Sequence, residues 1–268
     1  MKKFIQMNTI VLGLLLFAMP VFALKIVFKD PKKDDKGPGK YTYPTHSSYK
    51  KGDFDLRKVT IKTSGSNIEI QVRIRNRVRD VWKSRSWGGN GFSTQFVQVY
   101  IRTGQGKGFK EALPGLNIRF AQKWNYVVLL SPQGKTRLQS EINLKAKKFK
   151  KQIIIPSSTR AQGKAIIAVI PKSAFKGKFS KKWKFQVIMQ SNEGFPRKKD
   201  LLTRPVNEYN GKHRFGGGND GDCDPHVIDM LAGKAKGKSS EKKLQYKALS
   251  TFRCKGKTKL AIIPFVQP

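Results

Sequence analysis

A chain of 268 residues, 38% of them hydrophobic and 10% aromatic, carries enough apolar material to fill a core, which excludes a disordered polymer. Its 55 Lys and Arg against 17 Asp and Glu leave a formal charge of +38, well beyond what solubility requires, so salt-sensitive attraction to polyanions is expected. The histidines His46, His213 and His226 are scattered, and no nucleophile elbow, zinc-binding helix or phosphate loop is present, so the chain is not expected to be an enzyme.

The N-terminus reads Lys2-Lys3, an apolar stretch from Ile10 to Phe17, then Met19-Pro20-Val21-Phe22-Ala23. That is the order of a secretory signal peptide over residues 1–23, cleaved after Ala23, which places residues 24–268 in the periplasm or outside the cell. The apolar stretch is shorter than the roughly 20 residues of a membrane span, and no later segment is long and apolar enough, so no span is expected after cleavage.

Downstream, Ile68, Ile70, Val72 and Ile74 alternate with Glu69, Gln71, Arg73 and Arg75, as in a strand with one buried and one wet face. Val97, Val99 and Ile101 alternate in the same way with Gln98 and Tyr100. Trp124 to Leu130, Ile153 to Ile155 and Ala165 to Ile170 are apolar runs of strand length closed by Pro132, Pro156 and Pro171. Trp183, Phe185, Val187 and Met189 then alternate with Lys184 and Gln186, and Leu260 to Val266 forms a last run. Lysine runs from Lys145 to Lys151, Lys176 to Lys184 and Lys234 to Lys243 read as loops and solvated edges. Only Val227 to Leu231 and Ser173 to Phe175 look helical. Many strands, Gly- and Pro-rich turns and one or two short helices point to a single all-β domain, an antiparallel β-sandwich over 24–268. Cys223 and Cys254, an even count in an exported chain, are expected to pair.

The segment from Phe28 to Thr45, with Asp30-Pro31, Asp34-Asp35-Lys36-Gly37-Pro38-Gly39 and Tyr41-Thr42-Tyr43-Pro44, followed by Gly52-Asp53-Phe54-Asp55-Leu56, resembles the opening of the C-terminal accessory domain of glucodextranase. In the same order come Gly91-Phe92-Ser93-Thr94-Gln95, Leu113-Pro114-Gly115, Val169-Ile170-Pro171-Lys172-Ser173 and Phe215-Gly216-Gly217-Gly218-Asn219-Asp220, so the resemblance runs from about Phe28 to Val266. It implies a DOMON-like, carbohydrate-binding-module-like sandwich that is accessory to polysaccharide-degrading or surface-layer proteins and is not catalytic. Here no hydrolase accompanies the matching stretch, and association with a separate polysaccharide-degrading enzyme is expected. A much more basic surface and a longer loop around Lys83 to Asn90 also set this chain apart.

Nine of the eleven aspartates fall in two segments, Asp30 to Asp55 and Asp220 to Asp229. Gathered carboxylates repel unless a cation neutralises them, and Ca²⁺ takes oxygens from irregular loops, so Asp30, Asp34, Asp35 and Asp55 are expected metal ligands, as the resemblance also implies. Turn formation and surface pairing are the competing explanation. Trp124 and Trp183 begin strands and read as core, whereas Trp87, among Ser86, Gly88, Gly89 and Asn90, and nearby Trp82 are expected to stack on a ligand ring. Arg77, Arg79, Lys83 and Arg85 are expected to meet its charges. The expected ligand is a polysaccharide or cell-envelope glycan. Lipopolysaccharide, teichoic acid or nucleic acid bound through charge is the alternative, and a haem-binding DOMON-type role comes third, because Met189, Met230 and the histidines show no axial-ligand spacing.

Overall fold

A computed structural model describes residues 23–237 and 239–268, so the expected signal peptide lies outside the described residues except for Ala23. The strands in chain order are β1 (Lys25–Lys29), β2 (Leu56–Ser64), β3 (Asn67–Ile74), β4 (Gln95–Arg102), β5 (Phe109–Glu111), β6 (Ile118–Trp124) and β7 (Tyr126–Leu130). After helix α1 (Lys135–Lys145) come β8 (Ile153–Ile154), β9 (Ser158–Gln162), β10 (Ala165–Pro171), β11 (Lys184–Ser191) and β12 (Asp229–Met230), then helix α2 (Glu241–Leu249) and β13 (Ala261–Ile263).

The all-β sandwich expected from the sequence is what the chain forms. One five-stranded sheet has the order β1-β2-β3-β10-β9 and the other β12-β11-β4-β7-β8. Ile61, Ile70 and Val72 of the first interlock with Val97, Val99 and Val187 of the second in one apolar cluster. Pairing is antiparallel apart from β7 with β8, and β13 with β6 in a small third sheet, which are parallel.

The alternation that marked β4 and β11 does not separate a dry face from a wet one. Gln98, Tyr100 and Gln186 are buried, because the third sheet, α1 and α2 cover the outer face of the second sheet with a further core containing Phe96, Tyr100, Trp124 and Leu249. Each of the three is anchored by at least one polar atom: the Tyr100 hydroxyl donates to Gln98 Oε1 and accepts from the Leu113 amide at 3.0 Å, while Gln186 Nε2 donates to the carbonyls of Leu231 (2.7 Å) and Pro264 (2.9 Å); Gln98 Nε2 and Gln186 Oε1 are buried without a partner. Buried amides and hydroxyls are tolerated when bonded this way, so a strand with polar residues on one side can still be buried on both.

Two helix expectations are corrected. Val227 to Leu231 contains β12, held to β11 through Ile188 opposite Met230, and Ser173 to Phe175 is only partly a 3-10 turn, Lys172–Ala174. The two α-helices lie in segments to which the sequence reading gave no element, α1 ending at Lys145 where a lysine run read as a loop begins and α2 starting inside the run from Lys234 to Lys243. In α1 the residues turned fully inward are Leu138, Glu141 and Ile142, and in α2 Gln245 and Leu249, too few apolar side chains to stand out as a stripe. Cys223 and Cys254 form a disulfide with Cα atoms 5.5 Å apart.

Candidate functional site

Two places break the normal pattern of burial. The first is acidic. The segment after β1 carries Asp30 and Asp34 under the surface, β12 brings Asp229, and α2 opens with Glu241. Carboxylate oxygens of Asp30, Asp34 and Asp229 lie within 4.8 Å of one another. Both oxygens of Asp30, both of Asp34 and Oε2 of Glu241 are buried without a hydrogen-bond partner.

The backbone around them is well tied down. Asp229 accepts from the amides of Leu56 (2.7 Å) and Met230 (2.9 Å), Glu241 Oε1 accepts from the Ala232 amide, and Gln245 joins the Met230 amide (3.0 Å) to the Asp34 carbonyl (2.7 Å). Burial, reinforced by the neighbouring carboxylates, pushes Asp30 and Asp229 well above the usual carboxylate range. It raises Asp34 to about 6 and Glu241 to about 7. Unpaired acceptors buried against one another are costly unless protonated or neutralised by a cation, and a donor set made only of oxygens suits a hard divalent ion.

Of the four aspartates expected to bind metal, two are in this group. Asp35 accepts from the Tyr43 hydroxyl and the Gly52 amide (3.2 Å). Asp55 uses Oδ2 for the Lys33 amide at 2.9 Å and lies 3.8 and 3.9 Å from Arg57 and Arg75, although its Oδ1 is unpaired. Sequence reasoning placed Asp229 in the second acidic segment and gave Glu241 no role. Asp229 is brought to Asp34 by β12, whose neighbouring Ile228 carbonyl accepts from the Gly37 amide at 2.8 Å, and Glu241 by α2, whose Gln245 donates to the Asp34 carbonyl at 2.7 Å.

The second place is aromatic. A groove of about 660 Å³ is lined by Trp82, Trp87, Phe195, Gln133, Asn192 and Arg204, among others. Trp87 is 44% exposed and Phe195 95% exposed. The loop that presents Trp87 is pinned: Ser84–Trp87 is a 3-10 turn, the Trp87 indole N–H donates to the Trp82 carbonyl at 3.1 Å, and Asn90 Nδ2 donates to the carbonyls of Ser131 and Gln133, both at 2.9 Å. A Cβ on Gly89 would lie 2.5 Å from the Pro132 carbonyl, so this close approach requires glycine.

Trp82 forms the fixed floor. It is partly buried against the sandwich core, edge-on to Tyr49 and His213 with centroids 6.1 Å away in each case, and 5.7 Å from the Arg204 guanidinium. Arg204 is itself spent on Glu193 (3.0 and 3.2 Å), the Tyr49 hydroxyl and the His213 carbonyl (2.8 Å). Buried Asn192 donates to the Ser93 carbonyl at 3.2 Å, while its Oδ1 has no partner.

The cations nominated from sequence do not line the groove. Arg79 bonds Asp53 at 2.7 Å and the Ser48 carbonyl at 2.9 Å, and it lines a separate depression with Arg77 and Arg85. Lys83 is exposed and lines neither. Arg137 and Arg204 stand in their place. Phe195 was missed, although it sits in Gly194-Phe195-Pro196, an aromatic in a turn that the reasoning applied to Trp87 would have found. Met189 and Met230 are buried in the two different cores.

No helix among the described residues is long and apolar enough to cross a membrane. No curated protein matches the chain. A family model does: that of the C-terminal, SLH-like binding module of glucodextranase matches residues 26–265, a stretch that includes both sheets of the sandwich, the acidic group and the aromatic groove. With so much of its length inside that match, the chain belongs to the glucodextranase C-terminal binding-module family.

Proposed function

We propose that the protein is an exported, non-catalytic module that binds a polysaccharide or cell-envelope glycan in the Trp82–Trp87–Phe195 groove, on a scaffold stabilised by Ca²⁺. The observation that carries this reading is Trp87: a large indole, 44% exposed, on a loop whose backbone and ring nitrogen are already hydrogen-bonded. A rigid aromatic face held in water suits the apolar face of a sugar ring, and preorganisation lowers the entropic cost of binding it. Phe195 offers a second face, and Asn192 with Gln133 offers acceptors and donors to ring hydroxyls.

Asp30, Asp34, Asp229 and Glu241 would hold the Ca²⁺, which would supply the positive charge that the unpaired oxygens of Asp30, Asp34 and Glu241 lack. Bound there, it would link three segments distant in sequence and hold the framework that carries both sheets.

Titration of soluble envelope polysaccharides against the parent, Trp87→Ala and Phe195→Ala, at low and high salt, tests the groove. Each substitution should weaken binding about tenfold or more with little salt dependence, as expected for loss of an aromatic anchor. Parent-like affinity in both variants would remove the groove as the binding site.

A further inference from the structure

On another part of the surface, six cations surround one pocket of about 520 Å³: Lys32, Lys33, Arg57, Arg73, Arg75 and Lys164. Three backbone features aim them there. Arg57 is the extra residue of a β-bulge, since Leu56 faces Ile74 and Lys58 faces Arg73 across β2 and β3, and bulges turn a side chain out of register. Lys33 is held in the left-handed region at φ 64, uncommon for a residue with a side chain. Lys164 precedes β10, where its carbonyl accepts from the Ile74 amide at 2.9 Å.

Little on the protein answers this charge. Asp55 is the acidic group paired with the wall, 3.8 Å from Arg57 and 3.9 Å from Arg75, distances too long for good hydrogen bonds. Arg57 Nε is buried with no partner. Backbone strain and mutual repulsion concentrated on one pocket mark a place shaped for a ligand. Lys33 and Arg75 also line an adjoining cleft of about 710 Å³ walled by Tyr41, Tyr43 and Tyr49, which leaves ring-sized room beside the charges.

We infer that the bulge pocket is a second binding site, for a phosphate group carried on a saccharide polymer, with Arg57, Arg73 and Arg75 as the guanidinium donors and Lys33 at the junction with the tyrosine cleft. Guanidinium groups pair phosphate oxygens bidentately, and a doubly charged group answers several cations at once. The inference goes beyond the aromatic groove and does not depend on it.

The experiment is calorimetric titration of the mature chain with a phosphate-bearing polysaccharide, the same polymer after phosphatase treatment, inorganic phosphate, and single-stranded DNA at matched phosphate concentration. The phosphorylated polymer should bind at least about tenfold more tightly than the treated one. Arg73→Gln/Lys164→Gln, both exposed positions, should abolish that difference, whereas the charge-matched Lys181→Gln/Lys182→Gln should keep it. Lys33→Gly, which suits the left-handed backbone, should weaken phosphate binding without lowering the melting temperature. Trp87→Ala should leave the phosphate-dependent difference intact, so failure of the groove reading is separable from failure here. Equal losses in the two double variants, or equal binding of treated and untreated polymer, would overturn the pocket. Tighter binding of DNA than of the phosphorylated polymer would overturn the saccharide assignment.

Discussion

The acidic group and the aromatic groove depart from ordinary burial in opposite directions. In one, carboxylate oxygens of Asp30, Asp34 and Glu241 are buried without donors; in the other, Trp87 and Phe195 stand in water. Each is unfavourable for the chain alone, and on the proposed reading each would be relieved by a partner of the complementary kind, a cation inside and an apolar ring face outside. If the acidic group holds a cation, the first departure bears on stability and the second does not. The acidic group joins the segment after β1 to β12 and α2, whereas Trp87 and Phe195 lie on loops outside both cores and only Trp82 packs against one.

The largest expected effect tests that division through the disulfide. The loop between Cys223 and Cys254 spans 31 residues and contains both Asp229 and Glu241. Cys254→Ser should lower unfolding free energy by about 3 to 4 kcal/mol in the chain-entropy account. Chemical denaturation measures it, and Ca²⁺ affinity should fall with it while polysaccharide affinity, measured on the folded fraction, stays unchanged. A loss of glycan affinity as large as that of Ca²⁺ would break the separation.

Next in size is metal removal. At free Ca²⁺ a hundredfold above its dissociation constant the folded state gains about 2.7 kcal/mol, so EDTA should lower the melting temperature by roughly 5 to 10 °C. The pH response sharpens the test. In EDTA, burial holds Asp34 at about 6 and Glu241 at about 7, above their ordinary values, so protonation favours the folded chain. That contribution is present below the ordinary carboxylate range and is lost as pH rises through 6 and 7, so the metal-free protein should melt higher at pH 5 than at pH 8. With Ca²⁺ the order should reverse, because the ion needs the carboxylates deprotonated. Melting curves insensitive to EDTA at both pH values would show that the group holds no ion.

A smaller effect is expected from Trp87→Ala on stability, within about 0.5 kcal/mol, since the ring is exposed and its removal opens no cavity. Differential scanning calorimetry reads this, and a loss several times larger would mean that Trp87 is part of the scaffold. The smallest change is that of Lys83→Ala. Its side chain is exposed outside the groove, so polysaccharide affinity should match the parent in the same titration.

Much of this was legible in the residues. The alternation from Ile68 to Ile74 marked β3 because one of its faces is buried and the other is not, and Trp87 among Gly88 and Gly89 read as an exposed aromatic for the same local reason. Burial of Gln98, Tyr100 and Gln186 was not legible, since a polar residue bonded inside a second core has the same letter as one in water. The two helices were hidden because each turns so few apolar residues inward.

By itself the sequence determined the strand-rich class, the disulfide partners and the presence of gathered aspartates, because periodicity, cysteine count and composition are local or additive properties. The tertiary structure decided which groups meet. Asp229 reaches Asp34 through β12 and Glu241 through α2, Phe195 reaches Trp87 across a groove, and Arg57 joins Lys33 and Lys164 through a bulge. Those encounters depend on chain reversals between distant segments, and spacing along a chain carries no record of where such reversals bring it back.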